Sequence, residues 1–526
     1  MKKFISLFCL GFLSTFTASY AQYTYADVAP IFHQRCSSCH RLGGGAGISL
    51  LNYSDISGLA SSIDYAVSND EMPPWSPDTT YTRFFGERII TAQEKQAILD
   101  WIAQGAQPGD TTLAEDPPIF SSSPYKIMAT PDLEVQMETF ASNAYTADVY
   151  NCFIIPMNLS QDRILRAIEI VPGNPDIVHH AVLTIDTLGT ATTDTSGACY
   201  SNQGQVGLGS YVPGAPPVIF PSTGQAKMGI RIPAGSNLSI QMHYPMGSGG
   251  ELDSTKIRLF FYPQGETGIR EVYTSTILQD WNFFIPANDV KEVTTTYDPA
   301  TDGLGGLDLS VFSAFPHSHE VCTSIVNYAW SGIDTVPLIK IPQWDFEWQG
   351  FYTYRELVKI PAGHQFFSSH IYDNTTNNPH NPNNPPAMIF AGAATGEEML
   401  FDAFQFLVYM PGDENINIDS LLLNDPLVLS TGIDAVDSYS ISQSFVFPNP
   451  VNNEINISFR SSFAKKYSLQ VFDISGKEVL RQNGMMTGSV HTHTIANAEN
   501  LNIGTYLYTI RFEESDTLAS GKFVKK

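Results

Sequence analysis

The sequence predicts a mainly β protein of several domains, and three observations point to it. Beyond residue 125, short runs rich in Val, Ile, Thr, Tyr and Phe are punctuated by Gly, Pro and Asn, the pattern of consecutive strands. Helical periodicity is confined to the segment before residue 110. At 526 residues the chain exceeds what one hydrophobic core can organise. The expected layout is a small all-α unit, two tandem β-sandwiches and a small β-sandwich at the C-terminus.

The chain opens with Met1, Lys2 and Lys3, an apolar run from Phe4 to Leu13, and Ser19-Tyr20-Ala21 before Gln22. A charged start, a short apolar stretch and a small-residue cleavage site make residues 1–21 a secretory signal peptide. No later run reaches the ~18 apolar residues a membrane helix needs, so the mature chain is expected to lack a transmembrane segment. The net charge of −25 comes from acidic residues dispersed along the chain. Such a surface repels phosphate backbones, which excludes nucleic acid as a partner and suits solubility outside the cell.

Residues 22–110 contain Cys36-Ser37-Ser38-Cys39-His40, the haem c attachment pattern. Cys36 and Cys39 would form thioethers to the haem, and His40 would ligate its iron. Met72, in Asn69-Asp70-Glu71-Met72-Pro73-Pro74-Trp75, is placed to be the second axial ligand, with His33 as its rival. A thioether opposite an imidazole raises the reduction potential. A final helix is expected, with Thr91 and Glu94 as a capping box, Ile98, Trp101 and Ile102 as its apolar stripe, and Gly105 as its stop. The stretch resembles a small class I cytochrome c, which implies electron transfer, haem c as cofactor and an external electron donor as partner.

Residues 111–124, with Asp116-Pro117-Pro118 and Ser121-Ser122-Ser123-Pro124, read as a linker. The first β-domain is expected over 125–270. Its Cys152 and Cys199 are paired by default as a disulfide in an exported chain. Cys322 is then left over, as a buried thiol or an exposed reactive one. His179 and His180 are adjacent, and on a regular strand they would face opposite ways. Joint ligation therefore needs a bulge, a twist or different ring nitrogens. His243 follows on the apolar run Leu238–Tyr244, and three histidines in one small domain suit copper or zinc.

The second β-domain is expected over 271–411. His317 and His319, one residue apart on a strand, share a face. The same spacing recurs at His491 and His493, so the pattern is weak by itself. Two imidazoles with the thioether of Met399, in Glu397-Glu398-Met399, would favour Cu(I).

Together these motifs resemble the copper type II, ascorbate-dependent monooxygenases, the family of peptidylglycine α-hydroxylating and dopamine β-monooxygenases, over residues 125–411. The resemblance implies two consecutive jelly-roll β-sandwiches, each carrying one copper ion across an open cleft. It implies an electron-storing copper on His179, His180 and His243. It implies an oxygen-activating copper on His317, His319 and Met399, which would be the catalytic residues. O2, a small organic substrate and ascorbate as reductant come with it. There are departures: Leu400 replaces a cysteine of the animal enzymes, and Phe315 stands where the peptide-amidating members place an arginine. Peptide amidation is therefore not expected. His364, His370 and His380 match no ligand and read as loop or surface residues.

Residues 412–444 read as a polar linker. Residues 445–526, from Phe447-Pro448-Asn449-Pro450 through Tyr467–Asp473 to Lys525-Lys526, resemble the C-terminal sorting domain of the type IX secretion system of Bacteroidetes. That implies the secretion machinery as partner and a secreted or cell-surface location reached through the periplasm. His491 and His493 fall there as solvated strand histidines. The expected function is an exported copper monooxygenase hydroxylating a C–H bond, fused to its own haem donor. The alternatives are a non-catalytic copper and electron-transfer protein of the surface, or an adhesin with remnant histidines.

Overall fold

The computed structural model describes residues 22–526, apart from 430–443 and stretches of five residues or fewer. Residues 1–21, expected as a signal peptide, and residues 121–124 of the expected linker lie outside the described residues. Helices Tyr25–Arg35, Tyr53–Gly58, Ala60–Ser68 and Ala92–Ala103 form the first unit. The last helix starts where its capping box says it should. The Glu94 N–H donates to Thr91 Oγ1 at 3.2 Å, and the Thr91 N–H donates to the Glu94 carboxylate at 2.7 Å. It stops at Gly105, whose φ of +88° is the left-handed conformation a helix C-terminus favours. Buried Ile31, Phe32, Ile98 and Trp101 hold the unit together, with Phe32 and Trp101 packed edge to face at 6.3 Å.

Strands then dominate. One sheet runs in the order Leu133–Gln136, Lys256–Phe261, Arg163–Val171, Met228–Ile232, Arg270–Glu271. A second runs Val149–Pro156, Asn237–Tyr244, His180–Asp186, Val206–Tyr211. Side chains of both, including Leu165, Ile230, Leu183 and Ile240, meet in one buried cluster. The next pair of four-stranded sheets repeats the plan. Tyr273–Asp280, Leu400–Val408, Leu309–His317 and Tyr352–Ile360 form one, and Val290–Tyr297, Gln365–Asp373, Cys322–Trp330 and Thr335–Ile341 the other. Val311, Ile325, Leu338, Phe366 and Phe404 lie in their shared core. Each strand alternates sides with period two, so two facing sheets bury one set of side chains between them.

The two β-regions are fastened together. Phe312, Leu357 and Leu407 of the second join the core cluster of the first, and Phe312 packs on Phe220 at 5.5 Å. Residues 412–429, expected as linker, instead form a strap, with helices at Ile418–Leu423 and Pro426–Leu429. Ile418, Leu422 and Leu427 are buried, and three aspartates each meet an arginine. Asp413 holds Arg270 at 2.7 Å, Asp419 holds Arg355 at 2.6 Å and Asp425 holds Arg166 at 2.5 Å. Apolar periodicity too short to register as a helix, and acidic residues whose partners lie far away in sequence, made this segment read as polar linker.

The C-terminal unit has sheets Ser444–Phe447, Ile455–Arg460, Val490–Ile495 and Glu478–Met485, Lys466–Asp473, Gly504–Phe512, Leu518–Lys525, around buried Ile457, Leu469, Tyr508 and Phe523. It touches the helical unit. Ser458 Oγ donates to Glu94 at 2.7 Å and accepts from Arg35, within a buried Arg35–Glu94 pair at 2.8 Å.

Cys152 and Cys199 form the disulfide, 47 residues apart in sequence. Gln241 Nε2 donates to the Cys199 carbonyl at 2.7 Å, tying the bridge to the strand that carries His243. Replacing both cysteines with alanine should destabilise the first β-region by about 4 kcal/mol, since an open chain of that length gains closure entropy. Denaturant unfolding of the oxidised and substituted proteins measures it.

Candidate metal centres and haem cavity

His179, His180 and His243 converge, with one ligand atom from each lying within 4.8 Å of the others. The difficulty of two adjacent histidines is resolved by the strand boundary. His180 is the first residue of its strand, whereas His179 lies just outside it and escapes the pleat. His180 stands opposite His243 in the antiparallel register, and the His179 N–H donates to the His243 carbonyl at 3.1 Å. The Nδ1 atom of His180 lies 3.3 Å from Nδ1 of His179 and 3.2 Å from Nδ1 of His243. Nitrogens on one tetrahedral metal at the usual bond length sit about 3.3 Å apart. His243 donates from Nε2 to Asp148 at 2.9 Å, which makes its Nδ1, turned toward His180, the nitrogen with a lone pair to offer a metal. Tyr150 stacks on the same ring at 4.5 Å. Burial, then the neighbouring imidazoles, pushes His180 well below its usual range, so its ring is neutral as metal ligation requires. The donor set fits a d-block cation.

Asp148 escaped the sequence reading. The hydrogen bond from His243 holds its carboxyl below the ordinary range. A carboxylate that fixes the tautomer of a ligating histidine is the usual outer partner of such a site. Its only sequence signal is an Asp before the apolar run Val149–Ile155.

His317 ends the strand Leu309–His317, where it pairs with Phe401. Extending that register by two residues sets His319 opposite Met399. The backbone links agree. Ser318 Oγ donates to the Met399 carbonyl at 2.8 Å, and His319 Nδ1 donates to the Glu397 carbonyl at 2.9 Å. His317 Nδ1 donates to Gln349 Oε1. An imidazole that donates from Nδ1 offers Nε2 as its metal donor. Burial pushes His317 down to about 3 and lowers His319 as well, so both are neutral. Two neutral imidazoles and a buried thioether fit a soft cation.

Glu398, between Glu397 and Met399, is the second residue whose role was missed. Its buried carboxylate accepts from the backbone N–H of His319 at 3.0 Å and of Val321 at 2.7 Å, and from Ser318 Oγ at 3.1 Å. Burial raises it to about 7 in spite of those bonds. His370 corrects the surface reading. It lies fully buried on the strand Gln365–Asp373, with Nε2 3.2 Å from Asp402, and Asp402 also accepts from the His317 N–H at 3.3 Å. Tyr372, at 3.3 Å from His370 Nδ1, donates to the Met399 carbonyl at 2.7 Å. His364 is buried too, bonded to the Pro361 carbonyl at 3.0 Å, while His380 is exposed. Cys322 is a buried free thiol, pushed up by burial.

His180, His317, His319 and Met399 all line one cavity of about 420 Å³ between the two β-regions. Phe315, Phe351 and Phe401 form much of its wall, with Phe315 stacked on Phe351 at 4.7 Å. No Asp, Glu, Lys or Arg is among the described residues that line it. The second H-x-H pair behaves differently. His491 Nε2 and His493 Nδ1 share the Tyr467 hydroxyl at 2.9 and 2.6 Å, and His493 Nε2 reaches Gln482. These histidines are half-buried and hydrogen-bonded rather than solvated.

In the helical unit, Cys36, Cys39, His40 and Met72 line one cavity of about 240 Å³, walled by Phe32, Ile63, Ile98 and other apolar residues. Both thiols are free. Among the described residues, three buried polar atoms on its wall have no protein hydrogen-bond partner: Arg35 Nη1, His40 Nδ1 and Arg88 Nη1. An apolar slot with two thiols, an imidazole, a thioether and an unsatisfied guanidinium fits a haem with carboxylate side chains. His33 is excluded as a cavity ligand, because its ring nitrogens are engaged by Glu115 at 3.1 Å and the Leu51 carbonyl at 2.9 Å.

Residues 445–526 match the family described as a secretion system C-terminal sorting domain. The chain thus carries a type IX sorting domain, which marks it for export to the cell surface or beyond in Bacteroidetes. No curated protein matches the chain. Among solved structures, it overlaps β-glucuronidase 3 of Bacteroides uniformis over 48% of its length and 27% of that enzyme, at 12% identity and a TM-score of 0.14. The overlap with the β-glucuronidase of Parabacteroides merdae covers 48% and 28%, at 9% identity and a TM-score of 0.13. That with Dictyoglomus thermophilum β-D-glucuronidase covers 50% and 44%, at 11% identity and a TM-score of 0.12. The chain spans less than half the length of each, and overlays this loose bear on neither fold nor activity.

Two outcomes follow from this geometry. Asp148→Asn should weaken copper binding at the three-histidine cluster by roughly 10- to 100-fold, as read by chelator competition. In protein that carries haem in this cavity, Met72→Ala should lower the reduction potential, as read by redox titration of the haem bands.

Proposed function

We propose that the chain is an exported copper-dependent monooxygenase that hydroxylates a C–H bond of a small, uncharged organic substrate. In this reading its β-regions are the two jelly-roll halves of that enzyme class, and its helical unit is a class I cytochrome c that supplies electrons. The carrying observation is the shared cavity, which brings His180 of one cluster to the same space as His317, His319 and Met399. The reaction consumes one O2, two electrons and two protons, and yields the alcohol and water.

Copper on His317, His319 and Met399 would supply oxygen activation, and the thioether favours its reduced form. The chain's own residues do the rest. Glu398 and Asp402 hold the His317–His319 turn through backbone N–H groups, so the imidazoles are oriented before any metal arrives. Gln349 fixes the His317 tautomer. Phe315, Phe351 and Phe401 exclude water and offer apolar surface to the substrate. With no charged side chain among the described wall residues, a charged substrate would lose hydration without a counter-ion. Phe315 provides no carboxylate anchor, in keeping with that preference.

A second reading, a copper and haem electron carrier without turnover, draws on the three-histidine cluster and haem cavity alone. It predicts bound copper but no substrate-dependent oxygen uptake. Met399→Ile should abolish oxygen uptake with an active neutral substrate while leaving the haem spectrum intact. Full activity in that variant would overturn the monooxygenase assignment.

A further inference from the structure

The haem cavity and the metal cleft share a wall. Trp348 lines the haem cavity, beside Arg88, whose guanidinium sits over the indole at 5.7 Å. The next residue, Gln349, lines the metal cleft and accepts the Nδ1–H of His317. The loop is held in place: Gln349 Nε2 donates to the Phe346 carbonyl at 2.6 Å, and Tyr352 donates to the Trp348 carbonyl at 3.4 Å. The helical unit is itself docked at this place. Phe84 packs on Tyr354 at 5.0 Å, Trp75 packs on Tyr352 at 5.6 Å, and the Phe85 N–H donates to the Thr353 carbonyl at 2.7 Å.

We propose that Trp348 and Gln349 form the electron bridge from the haem cavity to the His317/His319/Met399 site. The inference rests on the monooxygenase reading and names the residues that would serve its electron supply. An aromatic ring on one wall continues through one peptide bond and one side chain into a hydrogen bond on a metal-ligating imidazole. Each transfer takes one electron from ferrous haem, which becomes ferric, and gives it to cupric ion, which becomes cuprous. An external one-electron donor then restores the haem. A second segment also touches both cavities, since Pro213 lines the haem cavity and Tyr211 the cleft. Among the described residues, Tyr211 makes no hydrogen bond to His179, His180, His243, His317, His319 or Met399, whereas Gln349 makes one to His317.

The test uses full-length protein carrying haem and saturating copper, without oxygen. A laser flash with a flavin donor injects one electron, and the decay of ferrous haem absorbance reports its departure; copper-free protein is the blank. With copper raised until each variant is saturated, as metal analysis confirms, Trp348→Leu and Gln349→Leu should each slow the decay several-fold at full haem content, and Trp348→Phe should recover most of the rate. Gln349→Leu leaves the haem wall untouched and so covers loss of haem in the Trp348 variant. Wild-type decay in both leucine variants overturns the bridge, as does slowing only in Tyr211→Leu. A wild-type haem that never passes its electron to copper also overturns it. The monooxygenase reading is judged separately, by copper content and ascorbate-driven oxygen uptake.

Discussion

A single antiparallel register underlies the candidate oxygen site, that between Leu309–His317 and Leu400–Val408. It places residues some eighty apart in sequence side by side, and Glu398 locks it where the strands end. A buried carboxylate costs several kcal/mol to desolvate unless donors surround it. Here the donors are the N–H groups of the turn that carries His319. The cost of burial is thus recovered only when the His317–His319 turn and the Met399 strand are correctly apposed. Asp402, four residues on, repeats the device with His317, Ser368 and His370. Two carboxylates therefore specify the geometry that the side chains of His317, His319 and Met399 could not specify by themselves.

Much of the architecture was legible because its signals are local. Period-two apolar runs, the Thr91–Glu94 capping box and the C-x-x-C-H spacing each depend on residues within one element. The two pairs of H-x-H illustrate where locality ends. His317–His319 and His491–His493 are alike in sequence and share a face in both cases. What separates them is the opposing strand: one meets a methionine and a buried glutamate, the other a tyrosine hydroxyl. The adjacent pair His179–His180 shows the reverse. A regular strand would have divided them, and only the position of the strand's first residue brings them together.

The missed residues have a common cause. Asp148, Glu398, His370 and the aspartates of the 413–425 strap act through partners far away in sequence, and nothing in their own neighbourhood sets them apart from ordinary acidic or loop residues. His370 looked like a loop histidine because Asn and Pro follow it so soon. In the fold it is the interior end of a network that reaches Met399 through Tyr372. The cavity lined by Cys36, Cys39, His40 and Met72 extends the same lesson between domains, because Pro213 and Trp348 belong to chain segments that no motif connects to Cys36.

The neutral wall of the cleft has a kinetic side. A protein with net charge −25 surrounds itself with a field that repels anions at distances within the Debye length. A neutral molecule approaches such a surface unsteered and unhindered, at a rate indifferent to ionic strength. An anionic reductant such as ascorbate, the one the proposed activity would draw on, would have to diffuse against the field. A haem tethered through Cys36 and Cys39, as proposed, would never make that journey, so the acidic surface need not slow its recharging.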